Sequence, residues 1–367
     1  MTPNGFEGRL ALQQRVLTGY RAPLFDAIAR VCSGGMSVCA GLPRPEESIA
    51  VTDQLGIAQF VAVKNLHLLN GPFYLCYQSG LLDWLETFNP DALIVEANPR
   101  YLATPAAVRW MKRHARPVIG WGLGAHVRSG PLSGLRNSLR NSFLRPFDAL
   151  ITYSRRGAQE YAALGFPPDK VFVAPNAAAA RPTRPIPARL QGFDGKPYVL
   201  FVGRLQARKR IDLLLQACAA LPANLQPRLV IVGDGPERDA LEELAKAIYP
   251  AAQFPGAQHG AELAGLFCAA DLFVLPGTGG LAVQEAMSYG LPVIMGQGDG
   301  TNDDLVRPGN GWQIQPDELG LAQTLREALS DAPRLRKMGA ESYRIVREEI
   351  NLESMVGVFV EALNALR

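Results

Sequence analysis

Short, almost continuously apolar runs recur along the chain, with amphipathic stretches between them. Leu10–Val16, Ala92–Glu96, Pro117–Trp121, Ala149–Tyr153 and Val171–Ala174 lie in the first half. Val199–Val202, Leu229–Val232, Leu272–Leu275 and Pro292–Met295 lie in the second. They do not alternate apolar with polar residues, the pattern expected of parallel strands buried on both faces. Helix signals fall between them. Thr104-Pro105 reads as an N-cap followed by proline at the first helical position. Gly165 follows Glu160–Leu164, where a C-cap glycine belongs. Strand alternating with helix predicts parallel α/β sheets. From Pro175 to Pro197 the pattern stops: five prolines and no period mark a linker. Two α/β domains would then face each other. Ligands in such sheets bind beyond the carboxyl ends of the strands, so the cleft between the domains is the expected site.

Length agrees, since 367 residues exceed one ordinary core and fit two domains. At 48% hydrophobic and 19% charged residues, a disordered chain is excluded. The net charge of +3 conceals an asymmetry: residues 1–185 carry +8 and residues 186–367 carry −5. A basic half can attract phosphates, nucleic acid or an anionic membrane, or be ordinary solvated surface. The five cysteines form no CxxC pair and no Cys/His cluster, which fits a reducing cytoplasm. Cys218 and Cys268 sit among apolar residues and read as core fillers. Met1 to Arg15 lacks the apolar core of a signal peptide, and no run approaches a membrane span.

Three motifs carry chemistry in the second half. Val199–Val202 runs into Gly203-Arg204-Leu205-Gln206-Ala207-Arg208-Lys209, with a helix opening near Ile211. Arg204 and Lys209 beside a helix N-terminus suit a diphosphate, though a solvated basic turn has the same pattern. Leu229–Val232 ends in Gly233-Asp234-Gly235-Pro236, a turn that is structural in most proteins. Leu272–Pro276 enters Gly277-Thr278-Gly279-Gly280-Leu281, whose bare amides can cradle phosphate. Glu285 follows one to two turns into the next helix, where a carboxylate can accept hydrogen bonds from ribose hydroxyls.

In this order, FVGRLQARKRIDLLLQA, LVIVGDGPERDALEELA, the Phe254–Gly256 strand end, ADLFVLPG and GLAVQEAMSYGLPVI resemble the donor domain of GT-B glycosyltransferases, particularly the retaining family 4 enzymes. The resemblance spans residues 198 to 295. It implies two Rossmann-like parallel-sheet domains around a cleft, with a last helix crossing back to the N-terminal domain. The domains would be 1–180 for acceptor, 181–345 for donor, and 346–367 for the returning helix. It implies that Gly203, Arg204 and Lys209 hold the donor diphosphate with the Gly279, Gly280 and Leu281 amides. Glu285 would hold the ribose, and Gly256 and Ala257 would lie near the base. One departure stands out. The family has a glutamate eight positions before its second glutamate, and Gly277 occupies that position here. Asp299, Asp303 and Asp304 are nearby carboxylates, which also read as capping and loop residues.

The first half resembles the family less closely. Gly19, Tyr20 and Arg21, in the loop after the first strand, are candidates for acceptor contact or plain turn residues. His126, after Pro117–Trp121, is the candidate for the family histidine near the reacting sugar, and Leu123 is the competing position. Catalysis would fall to Arg204, Lys209 and His126. Arg128, Arg136, Arg140 and Arg145 stand beside Leu132, Leu135, Leu139, Phe143 and Leu144 at helical spacing. With Arg109, Lys112, Arg113 and Arg116 they suit an anionic membrane surface, or an amphipathic helix packed on its own domain. Met355, Val356, Phe359 and Leu363 form the apolar face of the last helix. The resemblance implies a nucleotide-sugar donor, a glycan or lipid-linked acceptor, no cofactor and no metal. A location in the cytoplasm, at the inner membrane face, is the matching expectation. An epimerase or hydrolase on the same fold, and a non-catalytic nucleotide-sugar-binding partner, are the alternatives. No aromatic–basic motif favours nucleic acid.

Overall fold

The computed structural model describes residues 5–47, 49–125, 133–279, 281–296, 298, 300, 303–315 and 317–367, with backbone alone for Ser133, Leu135 and Arg136. The chain divides into two compact units, residues 1–178 with 352–367 and residues 179–351.

The first unit holds β1 (Leu10–Val16), α1 (Ala22–Arg30), β2 (Met36–Gly41), β3 (Gln59–Ala62), the antiparallel pair β4 (Lys64–Leu68) and β5 (Leu75–Ser79), and α2 (Leu81–Phe88). It continues through β6 (Ala92–Glu96), α3 (Thr104–Arg113), β7 (Val118–Gly122), α4 (Ser133–Leu144), β8 (Ala149–Thr152), α5 (Arg155–Ala163) and β9 (Val171–Val173). Seven strands form one parallel sheet in the order β3-β2-β1-β6-β7-β8-β9. The order reverses between β1 and β6. The crevice outside the carboxyl ends of that pair is where open α/β sheets bind ligands.

The second unit repeats the plan. It holds β10 (Tyr198–Val202), α6 (Ile211–Ala219), β11 (Arg228–Val232), α7 (Arg238–Ile248), β12 (Gln253–Gly256), α8 (Gly260–Ala269) and β13 (Leu272–Leu275). It closes with α9 (Leu281–Ser288), β14 (Val293–Gly296), β15 (Gly311–Ile314), α10 (Glu318–Leu329) and α11 (Ala332–Glu348). The parallel order is β12-β11-β10-β13-β14-β15, with its reversal between β10 and β13.

The last helix, α12 (Leu352–Asn364), returns to the first unit. Met355, Phe359 and Leu363 are buried there, one above the other on a single face. Phe359 meets Trp121 edge-on, with ring centroids 5.0 Å apart, a favoured aromatic geometry.

The continuously apolar runs are the sheet cores, with bounds moved by at most one residue. Three sequence readings change. Cys268 is exposed, because α8 buries only Phe267, whereas Cys218 is inside. Thr104 is the first helical residue and not the cap, and its hydroxyl is buried without a partner. The strands β3, β4, β5 and β15 carry too little continuous apolar character to announce themselves, and β2, though fully buried, was passed over as well. Gly165 does sit in the left-handed region after α5, its amide bonded to Ala162 at 2.8 Å. The proline-rich stretch has no helix or strand from Ala174 to Pro197. It is pinned all the same: Arg189 donates to the carbonyls of Phe267, Ala270 and Tyr289, each at 2.9 Å.

Candidate active site

At the reversal between β10 and β13, three strand ends are laced together. The Gly203 amide donates to Val232 at 3.0 Å, and the Gly233 amide to Gly256 at 2.9 Å. A Cβ on Gly233 would stand 1.9 Å from the Gly203 carbonyl oxygen. The Gly233-Asp234-Gly235 turn is therefore a packing device that lets the Gly203–Leu205 turn lie beside it. At the end of β12, Gly256 has φ +82° and Ala257 is exposed. Arg238 braces this corner by donating to Phe254 at 3.2 Å and pairing with Glu242 at 2.8 Å.

The turn after β10 and the loop after β13 lie directly on each other. The Thr278 amide donates to the Arg208 carbonyl at 3.1 Å. Lys209 is buried, and its Nζ donates to the Thr278 carbonyl at 2.6 Å. A Cβ on Gly277 would stand 2.0 Å from the Arg208 oxygen and 2.6 Å from the Lys209 carbonyl carbon. One on Gly279 would stand 2.1 Å from the Lys209 Nζ. Gly277 is thus required by the close approach of another backbone, and Gly279 by its left-handed φ of +126°, since the end of the Lys209 side chain can shift. Burial, then the neighbouring Arg208, pushes the Lys209 ammonium down to about 8. Arg204 is exposed on the same turn.

Glu285 lies on α9 behind this loop, half-buried, and its carboxyl is raised by burial. Its carboxylate has no hydrogen-bond partner among the described residues, so its acceptor capacity is available to a ligand. Leu281 is the exposed first residue of α9. Gly280 and Asp299 lie outside the described residues. Asp304, in the chain after β14, is buried, and its carbonyl accepts from Arg307 at 3.0 Å.

In the first unit the reversal between β1 and β6 carries a second cluster. Gly19–Arg21 is a one-turn 3-10 helix between β1 and α1. Tyr20 is exposed, but Arg21 points inward and is buried. Its guanidinium stands 5.1 Å from the Trp121 ring and 5.2 Å from Tyr153, and donates to the Tyr153 hydroxyl at 3.2 Å. Glu96, at the end of β6, accepts from the Arg15 amide at 2.5 Å. Burial pushes its carboxyl up to about 7, against the opposing pull of that amide and of the Arg15 and Arg21 charges. Sequence reasoning passed over Glu96. The signal was a carboxylate ending an otherwise apolar central strand. His126 and Arg128 lie outside the described residues.

Among the described residues, no group of three His, Cys, Asp or Glu side chains stands together as metal ligands. No described helix is long and apolar enough to cross a membrane.

Residues 183–345 match the family model of the glycosyl transferases group 1, and residues 18–177 that of the glycosyl transferase 4-like domain. A GDP-mannose-dependent alpha-mannosyltransferase of Mycobacterium tuberculosis is 44% identical over 118 residues, which cover 31% of this chain and 29% of that one. The chain thus spans less than a third of the length of that relative. The lipopolysaccharide core biosynthesis glycosyltransferase LpsE of Rhizobium meliloti is 22% identical over 300 residues, covering 76% of this chain and 87% of that one. Among solved structures, Anabaena HepE in complex with UDP aligns with a TM-score of 0.69 at 16% identity, over 97% of this chain and 99% of that one. Sucrose-phosphate synthase from Thermosynechococcus elongatus aligns with a TM-score of 0.69 at 19% identity, over 98% of each. At those identities the structural likeness is one of fold.

Proposed function

Because the chain belongs to the group 1 glycosyltransferases, with their GT-B fold, we propose that it moves a sugar from a nucleotide-diphosphate sugar to a glycan or lipid-linked acceptor. The transfer retains configuration at the anomeric carbon and uses no metal. The bond that breaks joins that carbon to the donor phosphate oxygen. The bond that forms joins it to the acceptor oxygen, and the acceptor proton leaves with the nucleoside diphosphate. Negative charge grows on the departing phosphate. Fixed cations and amides at Gly203, Arg204, Lys209 and the 279–281 loop meet it in place of a metal. Glu285 holds the ribose, and the Gly256–Ala257 turn borders the base. Tyr20 faces the acceptor, Arg21 acts from beneath through Tyr153, and His126 bonds a sugar or acceptor hydroxyl.

The observation that carries this reading is the buried Lys209 ammonium, clasped to the Thr278 carbonyl across a glycine loop that opens a helix. Relatives that act in lipopolysaccharide core synthesis support a role in cell-surface polysaccharide or glycolipid assembly. The protein works at the cytoplasmic face of the membrane as a peripheral protein. A thermal-shift screen with UDP, GDP, dTDP and CDP tests the donor site. A ligand at about 100 times its Kd adds about 2.7 kcal/mol of stability, so one of the four raises the melting temperature by several degrees. No shift with any of them removes the donor-site assignment.

The lowered Lys209 value sets a pH dependence. Below pH 8 the free protein carries the charged ammonium that a diphosphate needs. As pH rises through 8 the proton is lost, and binding must first recover it. Affinity for the best nucleoside diphosphate therefore falls above pH 8, by up to about tenfold per pH unit. Lys209→Arg stays charged throughout, and its affinity is flat from about pH 7 to 9.5. Calorimetric titration of both proteins distinguishes these; identical profiles would rule out Lys209 as the titrating group.

A further inference from the structure

From Ala97 to Phe147 the chain carries nine Lys and Arg residues and no Asp or Glu. Both helices of that segment, α3 and α4, border one groove of about 540 Å³ in the first unit. Such a volume falls in the range of about 300–1,000 Å³ typical of small-ligand pockets. Val108, Phe143 and Phe147 give it an apolar wall, the two phenylalanines edge to face with centroids 5.5 Å apart. Arg109 and Arg113, one helical turn apart and both exposed, stand on its α3 side. Lys112, between them, pairs with Asp148 at 2.5 Å, and Asp148 also accepts the Val118 amide at 2.7 Å. The Asp148 charge is thereby neutralised by Lys112. Ser142 and Phe147 also line a second hollow of about 560 Å³, whose cations are Arg145 and Lys170.

We infer that this groove binds one anionic phospholipid, with its phosphate on Arg109 and Arg113 and an acyl chain against Val108, Phe143 and Phe147. The proposal rests on the peripheral membrane contact proposed above and gives it a defined seat. The occupant follows from complementarity: an apolar slot rimmed by guanidinium groups matches a molecule with an anionic head and an apolar tail. An acidic protein or a nucleic acid would use the arginines but not the slot. Guanidinium is also the side chain suited to bidentate phosphate binding.

Co-sedimentation with vesicles tests it at about 0.1 M salt. The parent protein binds vesicles containing roughly one third phosphatidylglycerol and ignores phosphatidylcholine alone. Arg109→Glu with Arg113→Glu lowers the bound fraction about tenfold or more, since each basic group near such a surface contributes about a factor of five. Ser142→Trp, at an exposed site on the groove, lowers it comparably by filling the slot while leaving every charge in place. Equal binding to phosphatidylcholine overturns the proposal. So does parental binding by Ser142→Trp, which would leave only a diffuse basic surface. Binding of an acidic protein or nucleic acid in place of the vesicles overturns it too. The nucleoside-diphosphate thermal shift, read on the same samples, belongs to the second unit and is unchanged in both variants. Loss of vesicle binding and loss of the donor site are therefore told apart.

Discussion

Lys209→Ala lowers sugar-transfer turnover by about 10²- to 10³-fold, the loss typical when one fixed group that stabilises developing transition-state charge is removed. The physical reason is local. The ammonium is buried against the glycine loop, where charge is poorly screened and acts more strongly on a leaving diphosphate than it would in water. The same burial makes the variant informative. Its folded-state value, about 8, lies below the ordinary lysine value of 10.5, so at pH 7 the folded protein bears a desolvation cost that the unfolded chain does not. Removing the side chain removes that cost and loses one hydrogen bond. The melting temperature therefore moves by a few degrees at most, and the activity loss is not unfolding. Lys209→Arg retains part of the activity because the charge persists. Unchanged turnover in Lys209→Ala, measured with whichever nucleotide sugar the thermal-shift screen selects, would show that the leaving group is stabilised elsewhere.

Gly277→Glu, which would place a side chain where the family resemblance expects one, destabilises the second unit by about 3 kcal/mol or more and abolishes nucleoside-diphosphate binding. Its Cβ would have to occupy space 2.0 Å from the Arg208 carbonyl oxygen. That atom is backbone and cannot swing aside. It also accepts the Thr278 amide, so moving it separates the two loops and withdraws the carbonyl that anchors Lys209. Gly277→Ala shows most of the same stability loss, because the first added carbon makes the clash. Urea unfolding and the nucleotide thermal shift read both effects. A Gly277→Glu protein that folds like the parent and turns over faster would mean that the loops separate easily and that the position awaits a carboxylate.

These two positions show how far the residues alone carry the reading. The central strands were legible because a strand buried on both faces is mostly apolar, although Leu10–Val16 also buries Gln13 and Gln14. Leu10–Val16, Ala92–Glu96 and Leu272–Leu275 have the bounds read from the sequence. The edge strand Gln59–Ala62 was not legible, since it is half-exposed and short. Neither was the β4–β5 pair, in which Leu66, Leu68 and Tyr77 face outward. On the donor side, the types and spacing of Arg204, Lys209 and Glu285 were legible because each stands at a strand end or in the helix just after it.

Sequence by itself determined the two α/β units, their main strands and the chemical types at the strand ends. Those properties are local: they depend on periodicity and on the turn and helix signals immediately after each strand. Tertiary structure alone decided the purpose of the glycine at 277, because the turn it presses against lies 69 residues earlier in the chain. It also turned Arg21 inward onto Trp121 and Tyr153, and it set Glu96 beside Arg15. Contacts of that range leave no periodic trace. They arise only when the strands align and their ends come within a few ångströms of one another.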